Sequence, residues 1–259
     1  MKHMLTSAVV AGFAAGLLAA LLHFAFVQKL ILVGEQYESG AIVHFAGLAD
    51  VAAEAGHDHD AHSHDDTAAM DAPAEAGDDH THSHAASEAS TTTRNILTSL
   101  FYGLTYVAYA LILVAGFNLA TSNGYAIDAP RGMLWGLAGF AVFQMAPAMG
   151  LAPELPGTMA ADLFARQMWW LGTAAATAVG LGLLGYGRSA LAIAAGLVLL
   201  VAPHVVGAPT PEGYSGIAPP ELASAFAARA LGVGLIAWVF LGGLAARLWA
   251  TKPLNSAVY

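Results

Sequence analysis

The sequence contains no cysteine. That excludes disulfides, thiolate zinc sites and iron–sulfur clusters, and it leaves His, Asp, Glu and Met as the side chains able to ligate a metal. Charge is nearly as scarce: 10% of the 259 residues are Asp, Glu, Lys or Arg, where a soluble domain carries about 25%. No Walker A sequence occurs, so ATP hydrolysis by a P-loop is excluded, and no H-E-x-x-H metallohydrolase motif occurs either. A membrane enzyme built on a His/carboxylate metal centre therefore ranks last, and the chain reads as a non-enzyme with no tightly bound cofactor.

What is there is apolar. Hydrophobic residues make up 57% of the chain and the mean hydropathy is +0.61. About 20 apolar residues cross a hydrocarbon core of roughly 30 Å, and six runs approach or exceed that length, at 5–32, 96–120, 132–150, 166–186, 189–207 and 222–249. The expected fold is an all-α polytopic membrane bundle of about six transmembrane helices arranged as three hairpins. Its parts are a first transmembrane helix over 1–33, an extracytoplasmic loop over 34–95 and a five-helix region over 96–259, with hairpins at 132–186 and 189–249. The first run exceeds the 7–15 residues of a signal-peptide core, so it reads as a retained span.

Six spans put both ends on one side. Lys2, Arg131, Arg188, Arg247 and Lys252 would share that side, against Lys29, Arg94, Arg166 and Arg229 on the other. The positive-inside rule then favours cytoplasmic ends in a bacterial inner membrane. Small residues recur at four-residue spacing in Ala8, Gly12, Gly16 and Ala20, and again in Gly172, Ala176 and Gly180. Such stripes let helices approach closely in lipid. "APAMGLAP" (146–153) returns as "APHVVGAP" (202–209), and each is followed by a loop and then an Arg. This pattern suggests a repeat of the last two hairpins, an arrangement transporters use to build a substrate path.

The acidic residues are unevenly distributed. Eleven of the eighteen lie between residues 49 and 89, where no Lys or Arg occurs. That balance argues against nucleic acid and towards cations. Within it "HDHDAHSHDD" (57–66) and "DDHTHSH" (78–84) hold seven of the eleven histidines. The segment has too few large apolar side chains to offset its chain entropy, so disorder is expected. Alternating imidazoles at His57, His59, His62, His64, His80, His82 and His84 can converge on one ion, and the interspersed carboxylates concentrate divalent cations. Imidazole suits zinc, copper, nickel and cobalt alike. A solvated linker is the plainer reading, but it does not need so many histidines.

Polar groups near the spans form a second candidate set. His23 lies eighteen residues beyond Leu5, about 27 Å along a helix, and an ionisable group at membrane depth is a functional hypothesis by default. His204 and Gln144 fall in the same outer zone, with Glu35, His44, Glu154 and Asp162 in or beside the outer loops. His23, Glu35, His44, Glu154 and His204 are the expected metal-contacting members of a vestibule. The plainer alternatives are a His23 that hydrogen-bonds a neighbouring Tyr, an Asp162 that pairs with Arg166 four residues on, and core packing for Tyr102, Tyr106 and Tyr109.

Four stretches resemble the CbtA family of probable cobalt transporter subunits: "FYGLTYVAYALILVAGF" (101–117), "LWGLAGFAVFQMAPAMGLAPELPG" (134–157), "ARQMWWLGTAAATA" (165–178) and "APHVVGAP" (202–209). The resemblance implies an inner-membrane protein acting with CbtB, a small one-span subunit bearing histidines, in cobalt uptake for cobalamin biosynthesis. It also implies five spans, one fewer than the apolar runs. Two readings are carried forward. One is an uptake component for a divalent transition metal, cobalt first and nickel or zinc next; the other is a membrane-anchored metal-binding or sensing protein.

Overall fold

The structure, a computed structural model, describes residues 2–43, 91–213 and 215–250. It divides into a bundle unit, 1–44 with 95–259, and a second unit, 45–94. Of the second unit only 91–94 are described, as the first turn of a helix. Apart from one isolated bridge between Thr158 and Gly216, regular structure among the described residues is helical.

Each apolar run coincides with helix. The first becomes α1 (Lys2–Leu22), a π-helical turn (His23–Val27) and α2 (Gln28–Glu38) in succession. The second is α3 (Thr91–Ser122). The third is α4 (Ala129–Phe140), a second π-helical turn (Ala141–Met145) and the short α5 (Ala146–Ala148). Then come α6 (Leu163–Tyr186), α7 (Ala190–Val206) and α8 (Pro220–Ala250). Four of these stretches are long and apolar enough to cross a membrane: Met4–Glu38, Thr91–Ser122, Leu163–Tyr186 and Pro220–Ala250. Helix α7 is apolar but shorter, and the third run is divided by its π turn. The first helix also continues past residue 33, so Glu35 is helical and not part of a loop.

Local chemistry sets the ends. Asp128, Ser189 and Asp162 each occupy an N-cap, accepting hydrogen bonds from the amides of Arg131 (2.9 Å), Ala192 (3.1 Å) and Ala165 (2.9 Å). These bonds satisfy donors that have no partner within the helix. Gly207, at φ 85°, ends α7 in a conformation that disfavours other residues. The repeated sequence produces a repeated ending: the amide of Leu151 bonds to the Pro147 carbonyl at 2.8 Å, and that of Gly207 to the Pro203 carbonyl at 3.0 Å.

The π turns have separate causes. In the second, Pro147 has no N–H for the Phe143 carbonyl and its ring crowds that turn. The helix admits an extra residue, and the Ala146 amide reaches back to the carbonyl of Ala141. In the first, the Gln28 amide reaches the His23 carbonyl, and the displaced Phe26 carbonyl accepts from Arg229 Nη1 at 3.3 Å.

Packing follows the glycines. A Cβ at Gly12 would lie 2.5 Å from the Val107 Cα, and one at Gly16 2.6 Å from the Gly103 Cα, so α1 and α3 touch backbone to backbone. Gly132, Gly136 and Gly242 bring α4 and α8 equally close. Around this contact Phe117, Trp238 and Leu241 are fully buried, and Trp238 stacks on Phe143 with ring centroids 5.6 Å apart. The stripe expected on the fourth run is displaced. Gly172 is exposed and meets nothing, while Thr173, Thr177 and Gly180 form the buried edge of α6. Gly180 packs on Gly196 of α7. Helix α4 thus packs extensively on α8 and α6 on α7, while α1 packs on α8 as well as on α3. Sequence neighbours α4 and α6, or α7 and α8, are not the main partners. The loops after α5 and α7 also meet, where the Met159 amide bonds to the Ser215 carbonyl at 3.1 Å.

Candidate metal passage in the bundle

A cavity of about 640 Å³ opens between α6 and the helices of the central bundle. Its polar lining is His23, Tyr102, Gln144, Glu154, Arg166 and Gln167, and Trp170 and Phe143 supply aromatic walls. Both π turns reach it, one through His23 and Val27 and the other through Phe143 and Gln144. Such bulges re-aim side chains and cluster at functional sites.

His23 stands at the start of the first bulge. Its Nδ1 lies 3.1 Å from the Tyr102 hydroxyl, and the two rings are tilted with centroids 5.3 Å apart. With Nδ1 engaged, Nε2 is the nitrogen left for a ligand, the division of roles usual in metal-binding histidines. Gln144, in the second bulge, packs so closely on Gly234 that a Cβ there would overlap its carboxamide. Its Oε1 is buried with no hydrogen-bond donor. A buried acceptor left without a partner carries a desolvation cost. Glu154, on the loop after α5, accepts from Arg166 Nη2 at 3.0 Å, and both side chains remain about one-third accessible.

Of the residues expected to form a vestibule, the cavity brings together His23 and Glu154, with Gln144 between the walls. Glu35 is twelve residues beyond His23 on the same helical stretch, about 18 Å further along, and does not line it. His204 packs edge-on against Trp169 at 6.2 Å, and Trp169 Nε1 donates to the Pro203 carbonyl at 3.3 Å. His204 thus sits behind the tryptophan next to Trp170, outside the lining. His44 and all seven insert histidines, His57 to His84, lie outside the described residues. Among the described residues no three His, Asp or Glu side chains gather into a group that could hold a metal ion. Asp162 is the N-cap of α6, and Arg166 turns to Glu154. Met145 and Met149, one turn apart, are both exposed.

Sequence reading missed Tyr102 as a cavity residue, along with Gln167 and Trp170. The three tyrosines do share a face: Tyr106 is buried, and Tyr109 lies 4.6 Å from the Trp238 ring. Tyr102 is the end of that ladder which reaches the cavity.

Apolar helices of spanning length and large exposed apolar side chains such as Leu191 (80% exposed) define a multi-pass membrane protein, with a cavity of mixed polar and apolar lining between its helices. The chain belongs to the CbtA family, described as probable cobalt transporter subunit, and the match covers residues 1–250. No curated protein and no solved structure matches it.

Proposed function

We propose that this chain is the polytopic subunit of a cobalt uptake system in a bacterial inner membrane, and that the cavity at His23 is the passage for the ion. The observation that carries the proposal is the convergence of His23, Gln144 and Glu154 from three separate segments on one cavity, in a chain whose family is a transporter subunit. In this reading six helices cross the bilayer, α4 to α5 and α7 included, and both ends are cytoplasmic. The His/Asp insert lies outside and gathers the ion through His57, His59, His62, His64, His80, His82 and His84. Glu35, His44 and His204 lie on the approach to the cavity or beside it. A one-span CbtB-like subunit completes the assembly, and cobalt, nickel or zinc is cargo and not a resident cofactor. The imported cobalt would serve cobalamin biosynthesis.

The cavity holds too few strong ligands to trap an ion, which suits passage: binding must be weak enough to release. An inside-negative potential of about 100 mV favours inward movement of a divalent ion by roughly 4.6 kcal/mol. The test is cobalt flux into liposomes with and without the one-span partner. Saturable flux in either preparation, lost in His23→Ala, supports the reading; no flux in both sinks it.

The lack of a three-ligand cluster among the described residues favours a second reading, in which the insert binds metal and the bundle only anchors it. That protein would bind cobalt and show no flux.

A further inference from the structure

Glu154 is the cavity's single carboxylate among the described residues, and Arg166 its single permanent cation. They are held together at 3.0 Å. Neither is required by the fold in the way its neighbours are. Asp162 caps α6, and the Arg166 amide bonds to the Asp162 carbonyl at 3.0 Å, so the backbone at Arg166 is fixed whatever its side chain does. The guanidinium is carried on a long flexible stem from the first turn of α6, at a place where both partners stay partly accessible. A partly exposed ion pair of this kind is easily exchanged. Glu154, for its part, lies in the loop after α5, where the neighbouring Leu155 is buried among Val27, Phe226 and Val233, so its carboxylate stays in place while the Arg166 side chain exchanges.

We infer that Arg166 is a tethered stand-in for the cargo: it occupies the carboxylate that an incoming divalent cation needs, and the ion binds by displacing it. This rests on the reading that the cavity takes a divalent metal. Two physical consequences follow. While the site is empty, the pair neutralises Glu154 and keeps the cavity from collecting monovalent cations. When a divalent ion arrives, its higher charge density competes for the carboxylate, with Gln144 Oε1 and His23 Nε2 as further neutral ligands. The freed guanidinium then adds repulsion that aids release, since like charges about 4 Å apart interact appreciably even at an effective dielectric near 20. Arg166 thus weakens binding and discriminates by charge.

The test uses the full chain in nanodiscs with cobalt(II) as the probe. Cobalt quenches tryptophan fluorescence at short range. The cavity component is the part of the quenching that disappears in Trp170→Phe. Arg166→Gln is expected to lower the half-quenching concentration about tenfold, the loss of one charge-assisted competitor. Glu154→Gln should raise it, and adding Arg166→Gln to Glu154→Gln should then lower it by clearly less than tenfold, since only the repulsion of the guanidinium is left to remove. Arg166→Lys, which keeps the charge but not the fork, should give a smaller tightening, roughly threefold, and carries the test if Arg166→Gln does not fold. Equal tightening with and without Glu154 would mean a diffuse charge effect and overturn the exchange. No change, or weaker binding, in Arg166→Gln would overturn it while leaving cobalt binding at the cavity intact. A complete absence of saturable Trp170 quenching, wild type included, would overturn this inference together with the cavity assignment beneath it.

Discussion

Helices α4 and α8 and helices α6 and α7 are two pairs that solve one problem, close approach in lipid, to different depths. In the first pair Gly132, Gly136 and Gly242 remove side chains from both sides, and backbone meets backbone around a fully buried Trp238. In the second a single meeting of Gly180 with Gly196 brings the helices together, and the hydroxyls of Thr173 and Thr177 are buried without partners. The first pair is joined by α1 and, through Trp135 and Trp238, by α3. The second remains largely exposed. The cavity lies on the seam between them: His23, Tyr102 and Gln144 come from the dense side, and Arg166, Gln167 and Trp170 from α6. A passage that must open is well placed where a dense body meets a lightly attached pair. Motion there breaks few buried contacts.

The same substitution at different glycines measures that difference directly. Gly136→Ala should have the largest effect, because the added Cβ would overlap the Trp238 carbonyl on the facing backbone. Overpacking of this kind costs about 3 kcal/mol where the backbones cannot part. Thermal unfolding in detergent should show a large drop in midpoint or no folded peak. A midpoint equal to wild type would mean that the dense core is not dense.

Arg229→Gln comes next. It removes the donor that Arg229 of α8 gives to the Phe26 carbonyl of the first π turn. The contact is long and exposed, so the loss should be about 1 kcal/mol. Its readout is local: amide exchange across residues 22–28 should speed up, and exchange in α6 should not change. Uniform acceleration through both pairs would show that the bulge is not held from α8.

How far these sites could be read from sequence varies. Apolar runs gave the helices to within several residues, because hydrocarbon imposes length and hydrophobicity on any span. Gly12 and Gly16 were legible as a packing stripe for the same reason. Gly172 was not, because spacing alone cannot say which face of α6 meets a neighbour. His23 was legible as a rare ionisable group at depth, and Glu154 as a carboxylate of the outer loops. That they share a cavity was not, since it depends on two π turns that no residue pattern announces. Asp162 illustrates the limit: four residues from Arg166 it fits a pair, yet an N-cap position just outside the helix outweighs i,i+4 attraction, and Arg166 goes to Glu154 instead.

Gly180→Ala should have a smaller effect still. Its Cβ would lie 2.9 Å from the Gly196 carbonyl and 3.2 Å from the Leu200 side chain. The Gly196 carbonyl is backbone, so α6 and α7 must part by a few tenths of an ångström to accommodate it, less than the overlap at Gly136 demands. The expected loss is under about 1 kcal/mol, partly offset by the better helix propensity of Ala. If Gly180→Ala were as damaging as Gly136→Ala, the seam would separate two equally rigid bodies and opening would need another hinge.

Gly182→Ala, two residues further on, closes the series. Nothing lies within 4 Å of a Cβ there, so no contact is lost and no neighbour must move. Only the backbone responds: Gly in a helix interior is less favourable than Ala by roughly 1 kcal/mol. The unfolding midpoint should therefore stay level or rise slightly, on the same helix where Gly180→Ala lowers it. Both substitutions add one methyl group to α6, and both share its propensity gain, so their difference isolates the contact of position 180 with Gly196 and Leu200 of α7. A clear loss in Gly182→Ala would mean that something covers this face in the membrane, such as the partner subunit or a second copy. Repeating the measurement on chain purified without any partner separates those two: a loss that persists there belongs to a second copy, and one that vanishes belongs to the partner.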